Sequence, residues 1–117
     1  MKTILIVEDV ELNIELLVQL LEDDYNLLVA KDGVDGVAMA SHFHPDLVLM
    51  DISLPTMDGY EATRKIHEIN PDMPIIGLSA NAMQDDYERA HSVGFNDYLT
   101  KPIDEDLLFH KVQEFLR

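Results

Sequence analysis

Apolar residues recur along this chain in two rhythms. Short runs fall at 3–7 (Thr-Ile-Leu-Ile-Val), 26–30, 46–50, 73–78 and 96–100, each followed by polar or turn-forming residues. A continuous apolar run of that length, bounded by turn signals, reads as a strand buried on both faces. Between the runs the spacing becomes helical. Residues 10–23, 34–43, 60–69 and 82–92 read as helices, and a last one runs from an Asp104 N-cap through Leu107, Leu108, Val112, Phe115 and Leu116 to Arg117. Pro45 ends the second helix, because the residue before a proline is pushed out of the helical region. Gly94 is a plausible C-cap for the fourth.

Strands that alternate with helices argue for an α/β fold, a five-stranded parallel sheet with five helices on both faces. The strand order does not follow from the pattern itself. A flavodoxin-like (βα)5 order, 2-1-3-4-5, would set the first and third strands side by side at the switch point, where ligands bind beyond the carboxyl ends of the strands. In the first helix, winding at about 100° per residue gathers Leu16, Leu17, Leu20 and Leu21 on one arc. Asn13 points into that arc, Leu12 lies at one margin, and Ile14 and Val18 lie at the other. The arc is wider than one buried face requires, so a margin is available to a partner helix.

Composition narrows the classes. A chain of 117 residues is one domain, 1–117, long enough for a real core, and it contains no cysteine for disulfides or thiolate metal sites. The apolar runs are strand-length, which argues against a membrane span, and no secretory signal opens the chain, so the cytoplasm is the expected location. The net charge of -15 opposes direct contact with nucleic acid or an anionic membrane and favours cations and basic partners. The pattern closes with the fifth helix, so no output domain is expected.

The chemistry lies where the strands stop. The first delivers Glu8 and Asp9, the third Asp51, the fourth Ser79 and the fifth Lys101. Each alone has an ordinary explanation: a helix cap, a turn former or a solvated lysine. Together, polar groups landing on one sheet edge are poorly explained by capping. Crowded carboxylates raise one another's pKa or demand a cation. An all-oxygen set favours a hard ion, and few carboxylates with retained waters suit Mg2+. Lys101 adds a positive charge, Ser79 adds a hydroxyl, and a carboxylate can itself accept a phosphoryl group as an acyl phosphate. The five histidines, His42, His44, His67, His91 and His110, are scattered and suggest no metal site.

From end to end the chain resembles the receiver domain of two-component response regulators. The resemblance rests on Ile6-Val7-Glu8-Asp9, on Leu49-Met50-Asp51 through Leu54-Pro55-Thr56-Met57-Asp58-Gly59, on Leu78-Ser79-Ala80, and on Tyr98-Leu99-Thr100-Lys101-Pro102. It implies that Asp51 is the phosphoacceptor and that Glu8, Asp9, Asp51 and the Ser53 backbone carbonyl hold Mg2+. It makes Ser79, Lys101 and the Ala80 amide ligands of the phosphoryl oxygens. It makes Tyr98 the switch aromatic that swings inward when Ser79 moves, and it suggests a cis bond at Lys101-Pro102. Ser53 and Asn81 fall at positions resembling those that tune phosphoryl lifetime. Glu8 stands where an Asp is commoner and reaches one methylene further.

The function so implied is a phosphorylation switch rather than an enzyme with a separate substrate; the chain would catalyse only its own phosphorylation and dephosphorylation. Its partners would be a sensor histidine kinase, a histidine phosphotransfer protein, or both, then a downstream protein, with a phosphorylation-dependent homodimer also open. The wording of Leu54 to Arg64 and Ser79 to Met83 is similar to receivers of hybrid kinases and phosphorelays. Other classes fit less well. A haloacid dehalogenase-like phosphatase would place a second Asp where Ser53 stands. A flavin carrier would need a phosphate loop where Glu8-Asp9 stand. A phosphate-independent receiver would not need the complete site.

Overall fold

The computed structural model describes residues 1–80 and 91–116. Strands β1 (Thr3–Val7), β2 (Asn26–Ala30), β3 (Leu47–Asp51), β4 (Ile75–Ser79) and β5 (Asp97–Thr100) form one sheet in the order β2-β1-β3-β4-β5. Every neighbouring pair is parallel. The helices are α1 (Glu11–Leu21), α2 (Gly33–Phe43), α3 (Gly59–Ile69), a helical stretch α4 over residues 91–93, and α5 (Glu105–Leu116). The flavodoxin-like order expected from the sequence is the order observed. The expected helix over 82–92 falls mostly outside the described residues, as does Asn81.

Side-chain alternation along the strands divides the core in two. Leu5, Val7, Val48 and Met50 face one side, where they pack with Ala40 of α2 and with Ala62 and Ile66 of α3. Ile4, Ile6, Leu47 and Leu49 face the other side and pack against Leu17 and Leu21 of α1 and Leu108 and Val112 of α5. Because both faces are covered, β1, β3 and β4 read as unbroken apolar runs rather than alternating ones. Each fully buried Leu or Ile contributes roughly 2 kcal/mol of transfer free energy, and β1 and β3 carry their terminal side chains on such fully buried runs.

Two details sharpen the sequence reading. The third strand runs Leu47–Asp51 rather than 46–50, so Asp51 is its last paired residue, opposite Leu78. In α1 the buried positions are Ile14, Leu17 and Leu21. The buried arc is therefore rotated toward Ile14 and Val18, while Leu12 and Leu16 form the exposed margin.

The helix starts follow local chemistry. Asp32 caps α2 by accepting from Asp35 N, and Asp58 caps α3 by accepting from Glu61 N. Asp104 Oδ1 accepts from Leu107 N at 3.0 Å, as an N-cap of α5 should. Before Pro45, His44 leaves α2 in the left-handed region, with φ 49°. Gly94 has φ 104°, the conformation a side chain would resist.

Candidate phosphoryl-acceptor site

Strands one and three are neighbours, so their ends deliver Glu8, Asp9 and Asp51 to one place. One oxygen from each carboxylate lies within 4.8 Å of the other two. The neighbouring acids at 8 and 9 differ sharply. Glu8 is fully buried, whereas Asp9 is exposed. Capping does not account for the pair: the N-cap of α1 is Val10, with no side-chain bond. Glu8 instead folds back on its own turn, its Oε2 accepting from Asp9 N at 3.0 Å.

Lys101 reaches this pair from the end of β5. Its Nζ donates to Glu8 Oε1 at 2.7 Å and stands 3.5 Å from Asp51 Oδ1. That inequality determines where the charge sits. Burial pushes the Asp51 carboxyl up, and its hydrogen bond with Glu8 pushes it further, to about 7. Burial also raises Glu8, but the bond with Asp51 and the bond and charge of Lys101 outweigh it, leaving Glu8 below its ordinary value. The closer cation keeps Glu8 ionised. Asp51 is the member of the pair pushed toward its protonated form.

The segment after Asp51 holds the carboxylate in place. Ser53 N donates to Asp51 Oδ1 at 3.0 Å. Gly59, the first residue of α3, approaches so closely that a Cβ there would lie 2.4 Å from the Asp51 carbonyl oxygen. Only glycine lets α3 begin against the end of β3. Between them Thr56 has φ 67°, and Met57 N donates to Pro55 O at 2.7 Å, a tight three-residue turn. A threonine in the left-handed region is strained, and nothing in the apolar pattern signals it.

Ser79 ends β4 beside this group and is buried, with Ala80 exposed next to it. The Lys101-Pro102 bond is cis, as the resemblance suggests. Tyr98 is already inside: it is 5% exposed and packs with the core of the α2–α3 face. Of the histidines, His67 donates or accepts through Nε2 at 2.8 Å from Met73 O, and His110 stands 3.2 Å from Glu114. His42, His44 and His91 are exposed. Glu8, Asp9 and Asp51 form the one cluster among the described residues that suits an ion.

The donor set fits a hard divalent cation: all carboxylate oxygen, close enough to share one ion, with a member exposed for water to remain bound. Residues 4–113 match the family model of the response regulator receiver domain. The chain belongs to that family. It is 36% identical to the polar-differentiation response regulator DivK of Brucella ovis, over 98% of this chain and 96% of the relative. It is 38% identical to the sensor histidine kinase RcsC of Escherichia coli over 90% of this chain, which spans only 11% of that kinase. Among solved structures, the receiver domain of the sensor histidine kinase PA1611 of Pseudomonas aeruginosa has magnesium coordinated in its active-site cleft. It matches with TM-score 0.90 and 38% identity, over 97% of this chain and 96% of that one. A CheY-like receiver from Methanospirillum hungatei matches with TM-score 0.91 and 30% identity, over 97% and 92% of the two chains. The receiver fold and a place in two-component signalling follow from this membership.

Proposed function

We propose that Asp51 accepts a phosphoryl group from a phosphohistidine on a partner protein, and that the resulting acyl phosphate changes the surface the receiver offers to other proteins. The observation that carries this reading is the convergence of Glu8, Asp9 and Asp51 within 4.8 Å, with Lys101 bonded to the first and close to the third. The donors suit Mg2+ on Glu8, Asp9, Asp51 and the Ser53 carbonyl, as the sequence resemblance implies. When bound, such an ion supplies charge neutralisation for the phosphoryl oxygens.

The chain's own residues do the rest. The Asp51 carboxylate oxygen attacks phosphorus as the P–N bond to the donor imidazole breaks. An imidazole protonated on its other nitrogen leaves neutral, taking the bonding pair. The Ser53 amide orients Asp51 for that attack. Lys101, released from Glu8 by a competing anion, turns its charge toward the phosphoryl group, with the Ser79 hydroxyl and Ala80 amide beside it. The new charge draws these groups together, and the segment leading to Tyr98 responds. On this reading the protein turns over no external substrate, lies in the cytoplasm, and serves as a stand-alone regulator or phosphorelay intermediate. Similarity to DivK over nearly its whole length, and to a segment of a sensor histidine kinase, supports either role.

Incubation with acetyl phosphate and Mg2+ tests the reading. Intact mass should rise by one phosphoryl group, and the gain should vanish in Asp51→Ala and with chelator. A gain that survives either control would refute it. The burial of Tyr98 favours a second reading, in which partner binding needs no phosphate. In that case Asp51→Ala would bind the partner as well as the unmodified protein does.

A further inference from the structure

The cations of this chain are few and mostly committed. Eight lysines and arginines stand against 23 acids. Lys31 is paired with Glu11, Lys101 with Glu8 and Lys111 with Asp97. Among the described residues, one element carries two exposed bases with no ion-pair partner: Arg64 and Lys65 on α3. Acids are within reach of both in sequence. Glu61 lies four residues before Lys65, and Glu68 lies four after Arg64, the spacing at which a helix pairs charges. Neither pair closes. The four side chains instead stand around an open groove of about 170 Å3.

Apolar surface adjoins this stripe. Ile69, one turn beyond Lys65, is 55% exposed, and Phe43 is 51% exposed. The two belong to one patch, because the C-terminal ends of α2 and α3 lie together: Ala40, His44, Ile66, Ile69 and Met73 line the same hollow. The His42 ring meets that of Phe43 edge-on at 4.7 Å.

We infer that this α2–α3 face pairs with the same face of a second copy of the chain, related to the first by a two-fold axis. Charge selects that occupant. At a net charge of -15, two copies repel wherever acid meets acid. The outer surface of α1 and the head of α5 are of that kind, with Glu11, Glu15, Glu105 and Asp106 exposed. The α3 stripe carries two bases and two acids, so it is neutral and complementary to itself. An acidic or a basic partner would satisfy only half of it. A two-fold interface sets each patch against its own copy, residue i on j and j on i. With the two α3 helices antiparallel, Glu68 of each copy meets Arg64 and Lys65 of the other, reciprocally. Ile69 and Phe43 of both copies then close over one another as the apolar centre. Such a centre supplies the affinity and the charged rim fixes the register. Neither Asp51 nor its phosphorylation takes part, so the inference stands apart from the phosphoacceptor reading.

Two charge-reversed chains make the test. One carries Arg64→Glu with Lys65→Glu, and the other carries Glu61→Lys with Glu68→Lys. All four positions are exposed, and circular dichroism checks that both chains fold. Sedimentation equilibrium is run at roughly 0.15 M salt, where a Debye length of about 8 Å screens the distant charges and spares the contact. The unmodified chain should dimerise at concentrations up to roughly 1 mM. Each reversed chain alone should associate at least about tenfold more weakly, and an equimolar mixture of the two should restore a heterodimer. Ile69→Asp should weaken association by a similar factor. A monomer at every concentration, a dimer unchanged in both reversed chains, or a mixture no tighter than its components would overturn the inference. A monomer that binds a Glu-rich or Lys-rich peptide at α3 would also overturn it, and would assign the face to a different protein.

Discussion

The two edges of the sheet use polar side chains in opposite ways. At the amino edge they tie down backbone. Asp46 Oδ2 accepts from Thr3 N at 2.8 Å, and Asn96 Oδ1 accepts from Ile75 N at 2.9 Å. Each satisfies a strand-end donor that would otherwise go unpaired. At the carboxyl edge the side chains face one another. Lys101 binds Glu8, Glu8 bonds Asp51, and two of these groups are acids buried within reach of each other. Structure alone gains little from burying like charges. The comparison teaches that a polar residue at a strand end is structural when its partner is backbone. It is a candidate for chemistry when it is a buried acid set against another buried acid, as Glu8 and Asp51 are; the pair of Lys111 with Asp97 at the start of β5 joins opposite charges and is partly exposed.

That contrast can be broken by substitution. The largest effect is expected from Lys101→Met, which leaves Glu8 buried and unpaired. Urea unfolding should show a loss of about 3 kcal/mol. A loss near zero would mean that Lys101 is a surface lysine with no part in the carboxyl-edge network.

Next in size is the pH and cation dependence. Asp51 is raised to about 7 in the folded chain against an ordinary 3.8, so the folded state holds a proton that the unfolded state has released between those values. In chelator-treated protein, stability should therefore fall as pH rises from about 4 to about 7. Glu8 is lowered and contributes the opposite slope only below its ordinary 4.5, where stability falls as pH drops through its folded value. Asp51→Asn should remove the upper slope. Mg2+ should restore stability at the upper end of the window, by about 2.7 kcal/mol at roughly a hundred times its dissociation constant. Thermal melts across pH, with and without Mg2+, check all three outcomes.

At the amino edge, Asp46→Ala should cost about 1 kcal/mol through the Thr3 amide and leave acetyl phosphate labelling unchanged. An effect on labelling would erase the distinction between the edges. The smallest effect tests a polar group that belongs to neither edge. The Thr63 hydroxyl on α3 is buried with no hydrogen-bond partner among the described residues. Thr63→Val keeps the shape and should be neutral or stabilising by under about 1 kcal/mol, as read by the denaturation midpoint.

Much of this was legible before the structure. Apolar runs mark buried parallel strands with little ambiguity, so the residues that end them, Glu8, Asp51, Ser79 and Lys101, stand out by position alone. What the sequence could not supply was distance. Nothing in Glu8-Asp9 distinguishes the buried acid from the exposed one, because that depends on which turns toward Lys101 across the two strands between them. The α1 arc was drawn wide because seven leucines and branched residues compete for one face, and only the sheet decides that Ile14 is buried and Leu16 exposed. The strained turn at Thr56 was invisible for a related reason: threonine carries no signal for the left-handed region.

The central claim is that Asp51, and no neighbouring acid, takes the phosphoryl group. Borohydride reduces an acyl phosphate to an alcohol, so treating the acetyl phosphate-labelled protein and mapping its peptides by mass spectrometry locates the acceptor. The account predicts a reduced side chain at residue 51 alone, formed only when Mg2+ is present. Reduction at Glu8 or Asp9, or an equal yield without Mg2+, would contradict it.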